Sequence, residues 1–298
     1  MSLLACGSGA GEGTEAGGDS PDVIVEDSGA ADTGIPDDAG AEDGAPNDAA
    51  DGAPQGLTTL YIGHSFGRPF AEQMEDFADG AGVIEHTQAI VSRGGQNGAP
   101  QNLWDDSVAK AEIDARLAEG DVDVLVMICC SESFLVDGTD VAIDWWVETA
   151  LEYNPATRIV LALPWPDFPE DYDDAASHGE LWPDAYVMWE NLAQGVRERF
   201  DGVEVDLLPH GLAALDLRER LEADELTDIS LLRGNRNEAL FTDAKGHAGQ
   251  MLLDVGTLIW VATIYDIDLA GHPIAESYSD DVVGIAEDVL AAARELVP

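Results

Sequence analysis

The chain has 298 residues, 45% of them hydrophobic, enough for a sizeable core in one large domain or two small ones. Its 13 Lys and Arg stand against 60 Asp and Glu, a formal charge of −47, which excludes DNA, RNA and anionic membrane surfaces as partners, because phosphate binding takes clustered Lys and Arg. Three cysteines, with no Cys-x-x-Cys and no His/Cys cluster at zinc spacing, exclude a disulfide framework and a structural metal, and no motif calls for a cofactor.

Charge and composition divide the chain at residue 56. Residues 1–56 hold 13 acids, 12 glycines and no Lys, Arg or His. Too little apolar surface is available there to offset chain entropy, so the segment reads as an extended acidic linker, and residues 57–298 as the folded domain. At the linker's start, Leu3-Leu4-Ala5-Cys6 resembles the lipobox of bacterial lipoproteins, in which the cysteine becomes the acylated N-terminus. That resemblance implies a signal peptide beginning upstream of Met1, lipidation at Cys6, and a bacterial cell-envelope or extracellular location. The most apolar stretch, Val255 to Tyr265, is 11 residues between Asp254 and Asp266, too short to span a bilayer, and is expected to be a core helix. Any membrane association would therefore run through Cys6 alone.

From residue 57, short β-like runs alternate with helical ones. Leu57 to Ile62, Glu85 to Val91, Val122 to Cys130, Arg158 to Leu163 and Val203 to Leu208 read as strands. Val124 to Cys130 is apolar without alternation, the mark of a central parallel strand covered on both faces. Helical spacing follows Pro69 to Asp79, again from Ala185 to Phe200 behind Pro183, and from Val282 to Ala293. Strand and helix in alternation predict a three-layer α/β/α sandwich with a doubly wound parallel sheet. Ligands in such sheets sit at the carboxyl ends of the strands, so the residues after each strand are the ones to inspect.

Gly63-His64-Ser65-Phe66 follows the first strand and precedes a helix. A serine there meets free backbone N–H groups and the positive end of the helix dipole, a seat for a nucleophile, although an ordinary N-cap serine has the same setting. Near the other end, Thr242-Asp243-Ala244-Lys245-Gly246-His247 stands before a long apolar helix. Serine catalysis needs a base in hydrogen-bond reach and an acid to orient it, and this turn carries both as His247 and Asp243. Gly246 gives the turn conformational freedom.

These two blocks, in this order, resemble the SGNH or GDSL-type hydrolases, over about 240 residues of the chain. The resemblance implies a flavodoxin-like fold, esterase activity, Ser65 as nucleophile, His247 as base and Asp243 as acid, with His64 where the eponymous motif has Asp. The family spaces acid and base as Asp-x-x-His, whereas here one more residue intervenes. It also implies an oxyanion hole from the Ser65 N–H, a glycine after the second strand, and an asparagine side chain after the third. Gly95 or Gly94 in Arg93-Gly94-Gly95 fits the glycine. After the third strand stands Cys129-Cys130-Ser131-Glu132-Ser133, without asparagine, so Ser131, Ser133 or Asn97 are the candidates for the third donor. Glu132 is a poor one, because its carboxylate would oppose the developing charge. Cys129 and Cys130, adjacent in a strand, point to opposite faces and are expected to be buried thiols.

The other histidines show no partner spacing, and structural roles are the default for them. His64 is expected to line the site or face solvent, and His210 to sit in a turn. The segment from Pro164 to Trp182, with Trp165, Phe168, Tyr172, Trp182 and six acids, should overhang the site. Its aromatic faces would either stack on a sugar ring or pack on the domain beneath. Three functions from different classes follow: a serine esterase acting on a small-molecule or carbohydrate ester, a non-catalytic binder of glycan or ester on the same scaffold, and a surface protein whose tether is the functional part.

Overall fold

Leu60, Tyr61 and Ile62 are each at most 1% exposed, as a strand covered on both faces requires, and they form the middle of strand β1 (Thr58–Gly63). The computed structural model describes residues 54–128, 135–136 and 139–297. Residues 1–53 of the linker, Cys6 among them, and Cys129 to Ser133 lie outside the described residues, while the linker's last residues pair with the domain through the Gly56 N–H to the Ile84 carbonyl at 2.6 Å. After β1 come α1 (Arg68–Gly80), β2 (Thr87–Ser92), α2 (Pro100–Asp105), α3 (Ser107–Leu117), β3 (Val124–Ile128) and the two-residue strands β4 (Leu135–Val136) and β5 (Thr139–Asp140). Next are α4 (Val141–Tyr153), β6 (Arg158–Ala162), α5 (Ala175–Gly179), α6 (Trp182–Arg199), β7 (Val205–Leu208) and α7 (His210–Glu222). The chain ends with β8 (Leu231–Arg233), β9 (Ala239–Phe241), α8 (Gln250–Tyr265) and α9 (Val282–Leu296).

Five strands form a parallel sheet in the order β2-β1-β3-β6-β7, the flavodoxin-like doubly wound arrangement. Alternate residues along each strand feed opposite layers. Tyr61, Val126, Ile128 and Val160 face the core built with α1, α7, α8 and α9. Leu60, Ile62, Leu125 and Met127 face the core built with α3, α4 and α6. The sheet's winding reverses between β1 and β3, so the crevice at their carboxyl ends is where a site is expected.

Local sequence explains most boundaries. Pro69 and Pro183 occupy the first turns of α1 and α6, where a missing N–H costs nothing. Asp106 caps α3 by accepting from the Val108 and Ala109 N–H groups, and Asp281 caps α9 through the Gly284 N–H. Helix α8 is buried on nearly every side, from Met251 to Val261, and Gly256 lets Phe70 of α1 lie directly against its backbone. Among the described residues no helix is long and apolar enough to cross a membrane.

The five expected strands are present with ends shifted by at most two residues. Helix α7 and the separate parallel pair β8–β9 were not expected. His210 is not in a turn: it is the first residue of α7 and fully buried, its Nε2–H donating to the Phe66 carbonyl over 3.0 Å. The pattern from His210 to Glu222 hides its helical period because its six alanines and leucines are spread around the helix.

Candidate active site

The end of β1 turns sharply before α1. Gly63 admits no side chain, since a Cβ would lie 2.3 Å from both the Ile128 side chain and the Tyr61 hydroxyl. The His64 carbonyl collects three donors: the Gly67 N–H at 3.1 Å, the Arg68 N–H at 3.0 Å and the buried Tyr61 hydroxyl at 2.7 Å. Ser65 sits at the apex of this turn, and its N–H has no acceptor among the described residues. His64 is buried, not solvent-facing, and its Nδ1 accepts the Phe66 N–H at 3.3 Å. Burial, with the nearby cationic Lys245, lowers its pKa to about 3, so the imidazole is neutral.

Across the crevice, β9 delivers the turn Thr242 to His247. Ser65 Oγ donates to His247 Nε2 at 2.8 Å, and His247 Nδ1–H donates to Asp243 Oδ2 at 2.6 Å. The four-residue spacing therefore does not carry the carboxylate away from the imidazole. Gly246 absorbs the extra residue at φ +96°, a conformation that favours glycine. The second carboxylate oxygen of Asp243 accepts the Gly246 and His247 N–H groups at 3.0 and 3.2 Å. Partial burial pushes the Asp243 carboxyl up, but the hydrogen bonds from the His247 ring and the two backbone N–H groups outweigh it and hold the group below its usual range.

Packing fixes the His247 ring. Phe66, next to Ser65, stacks on the His247 ring with centroids 5.3 Å apart and planes 21° apart, and Trp165 stands edge-on to Phe66. Trp165 Nε1–H donates to the Gly246 carbonyl at 2.9 Å. Trp165 and Trp182 are therefore buried supports, at 3% and 0% exposure, and do not offer faces to a sugar ring. Phe168 and Tyr172 are half-buried, and the Phe168 N–H bonds the Lys245 carbonyl at 3.0 Å.

The loop after β2 closes the third side. Gly98 lies so near β1 that a Cβ would fall 2.2 Å from the Gly63 carbonyl oxygen and 2.6 Å from the His64 Cβ, and the Arg93 N–H bonds that same Gly63 carbonyl at 3.0 Å. This contact seats the 3-10 turn Gly95–Gly98 against the end of β1. Gly95 has φ +55°, and its N–H, like that of Ser65, has no acceptor among the described residues. Gly94 faces open space, and Asn97 is exposed in the turn without a side-chain hydrogen bond among the described residues. Ser131 and Ser133 lie outside the described residues.

The remaining histidines are structural. His86 bonds the Tyr265 hydroxyl and Gln88, His178 the Pro166 carbonyl, and His272 the Phe77 carbonyl. Tyr61, Phe66, Asp167 and Lys245 belong to the site but were not singled out from sequence. Phe66 and Lys245 lie inside the two motifs, which is the one signal that points to them.

No family model and no curated protein matches the chain. Among solved structures it is similar to a DUF4886 family protein from Bacteroides uniformis ATCC 8492, at 12% identity and a TM-score of 0.53, over 79% of this chain and 95% of that one. It also matches the periplasmic domain of a lipopolysaccharide acetyltransferase from Salmonella ser. Paratyphi A at 14% identity, a TM-score of 0.45, and 71% and 83% coverage. A protein from Parabacteroides merdae ATCC 43184 described as a GDSL-like lipase matches at 15% identity, a TM-score of 0.40, and 71% and 97% coverage. At 12% identity, the likeness to the Bacteroides protein is one of fold.

Proposed function

We propose that this protein is a serine esterase of the SGNH type, hydrolysing acyl esters of small molecules or O-acetylated carbohydrate by a Ser-His-Asp mechanism. The observation that carries this reading is the unbroken relay from Ser65 Oγ through His247 to Asp243, with contacts of 2.8 and 2.6 Å, at the switch point of a doubly wound sheet.

In the proposed cycle, Ser65 Oγ bonds to the ester carbonyl carbon, the carbonyl π pair moves onto oxygen, and the Ser65 proton passes to His247 Nε2. Asp243 fixes the tautomer and stabilises the imidazolium. The Ser65 and Gly95 N–H groups hold the oxyanion. As the intermediate collapses, the leaving alcohol takes the proton from His247, and water repeats the sequence to free the acid and Ser65.

A fluorophosphonate probe tests the assignment. Labelling at Ser65, lost in Ser65→Ala and reduced in His247→Ala, is the expected result. An unlabelled wild-type protein that binds glycan or ester without turnover overturns it in favour of the non-catalytic binder. We further propose that the domain is held at the cell envelope by lipid on Cys6. Protein produced from the native gene in its own host should then enter the detergent phase, with Cys6→Ser releasing it, and an aqueous-phase protein in both forms would refute anchoring.

A further inference from the structure

The oxyanion side of the site carries a cation that the mechanism above does not use. Lys245 is one of only two lysines in an otherwise strongly acidic chain, and it lies inside the lengthened turn between Asp243 and His247. Its Nζ reaches back over the nucleophile turn and stands 5.8 Å from the centroid of the Phe66 ring, the ring that stacks on His247. It also lies 3.6 Å from the point a Cβ on Gly95 would occupy. Those two contacts place the ammonium beside both the Phe66 ring and Gly95.

We propose that Lys245 is a catalytic residue of this site, its ammonium supplying the third donor to the oxyanion alongside the Ser65 and Gly95 N–H groups. The inference rests on the esterase reading.

Three observations support it. First, Nζ has three donors, and its one charged partner among the described residues is the Asp167 carboxylate, 3.7 Å away. That pair engages one of the three N–H groups and leaves the others for another oxygen. Second, Asp167 is 9% exposed, and burial raises its carboxyl pKa while the Lys245 charge counteracts it, so the pair is built into the fold and is not a surface encounter. Third, the nearest side-chain alternative on the loop after β2, Asn97, is exposed in its turn.

Charge favours this role over binding an anionic group of the substrate. Asp167 and Asp243 flank Lys245, so a permanent anion approaching the ammonium would meet two carboxylates. An oxyanion, by contrast, exists only after Ser65 attacks, at a point already lined by two N–H donors. A donor of that kind acts on the transition state and leaves ground-state binding unchanged.

The test compares wild type with Lys245→Met, which keeps the stem over Phe66 and removes the charge, and with Lys245→Arg. Three quantities are read: Ser65 labelling by fluorophosphonate, kcat and KM on a neutral acetyl ester and on a succinyl half-ester, and the Ki of an alkyl boronic acid. The expected result for Lys245→Met is a kcat lower by about 10²-fold on both esters with KM little changed. Boronate affinity should weaken by a similar factor, and Lys245→Arg should recover part of both. A loss confined to the succinyl ester and expressed in KM would show recognition of an anionic substrate and overturn the proposal. So would unchanged kcat in Lys245→Met, or an equivalent loss arising instead from Ser131→Ala or Ser133→Ala. Failure of wild-type Ser65 to label or turn over would refute the esterase reading itself, a different outcome from all of these.

Discussion

The Tyr61 hydroxyl donates to the His64 carbonyl across 2.7 Å, from within the strand that ends at the Ser65 turn. Tyr61 is 1% exposed, and burial holds its hydroxyl well above the usual tyrosine pKa, so the proton stays on oxygen and the bond persists at any working pH. The residue before Ser65 is thus tied to the layer beneath it.

Tyr61→Phe should lower stability by about 1 kcal/mol, because the carbonyl keeps two other donors and only one net hydrogen bond is lost. The effect on turnover should be larger than on KM, since the change loosens Ser65 and leaves the crevice its shape. Urea unfolding and ester kinetics on one preparation would separate the two.

Ser65 and His247 act as a unit in the proposed mechanism. Ser65→Ala and His247→Ala should each remove most hydrolysis of a short acetyl ester, and the double variant should be little worse than either. Asp243→Asn should cost less than Ser65→Ala but well over tenfold, because the 2.6 Å bond to Nδ1 would lose its charge and its hold on the tautomer. Full activity in Ser65→Ala would remove the serine mechanism.

Gly98→Ala probes the seam between the two loops. The added methyl has nowhere to go but into the Gly63 carbonyl, at 2.2 Å, so the β2 loop must lift and take Gly95 with it. Turnover should fall by about 10²-fold, the class of loss expected for a displaced oxyanion donor, while fluorophosphonate still labels Ser65 more slowly. An unaltered rate would place the oxyanion donors elsewhere.

His210 gives the fold a measurable response to acid. Burial lowers its pKa to about 4, against 6.5 for the free side chain. Between those values the unfolded chain takes up a proton at this position and the folded chain does not, so its contribution to stability is lost as pH falls from 6.5 towards 4. His210→Gln keeps a donor for the Phe66 carbonyl without the titration. The stability difference between wild type and variant should shift against wild type by about 1.4 kcal/mol for each pH step inside that window, measured by urea unfolding. A difference independent of pH would refute a neutral buried imidazole.

Much of this was legible in the residues. Uninterrupted apolar runs such as Val124 to Ile128 mark the central strands, and Gly63-His64-Ser65 with Asp243 and His247 marks the facing turns. What escaped was tertiary in origin. The half-strands Leu231–Arg233 and Ala239–Phe241 are three residues each, too short for any period to register. Lys245 reads as a loop cation until the turn that carries it is folded over Gly95. The aromatics from Trp165 to Trp182 leave sugar stacking and packing on the domain both open in one dimension. Trp165 and Trp182 prove to be footings, buried, with Trp165 bonded to the Gly246 carbonyl.

The pair β8–β9 hydrogen-bonds within itself and not to the five-stranded sheet. Ser65 and His247 accordingly hang from different backbone ladders, and what holds them in register is Phe66 stacked on His247, Trp165 bonded to the Gly246 carbonyl, and the main-chain bond from Phe168 to Lys245. Amide exchange should then be slow in β1 and β3 and faster from Leu231 to Phe241, with the two sets opening independently. An acyl group bridging the crevice would join them, and the slowing of exchange in β9 on acylation would report how far the substrate completes the architecture that processes it.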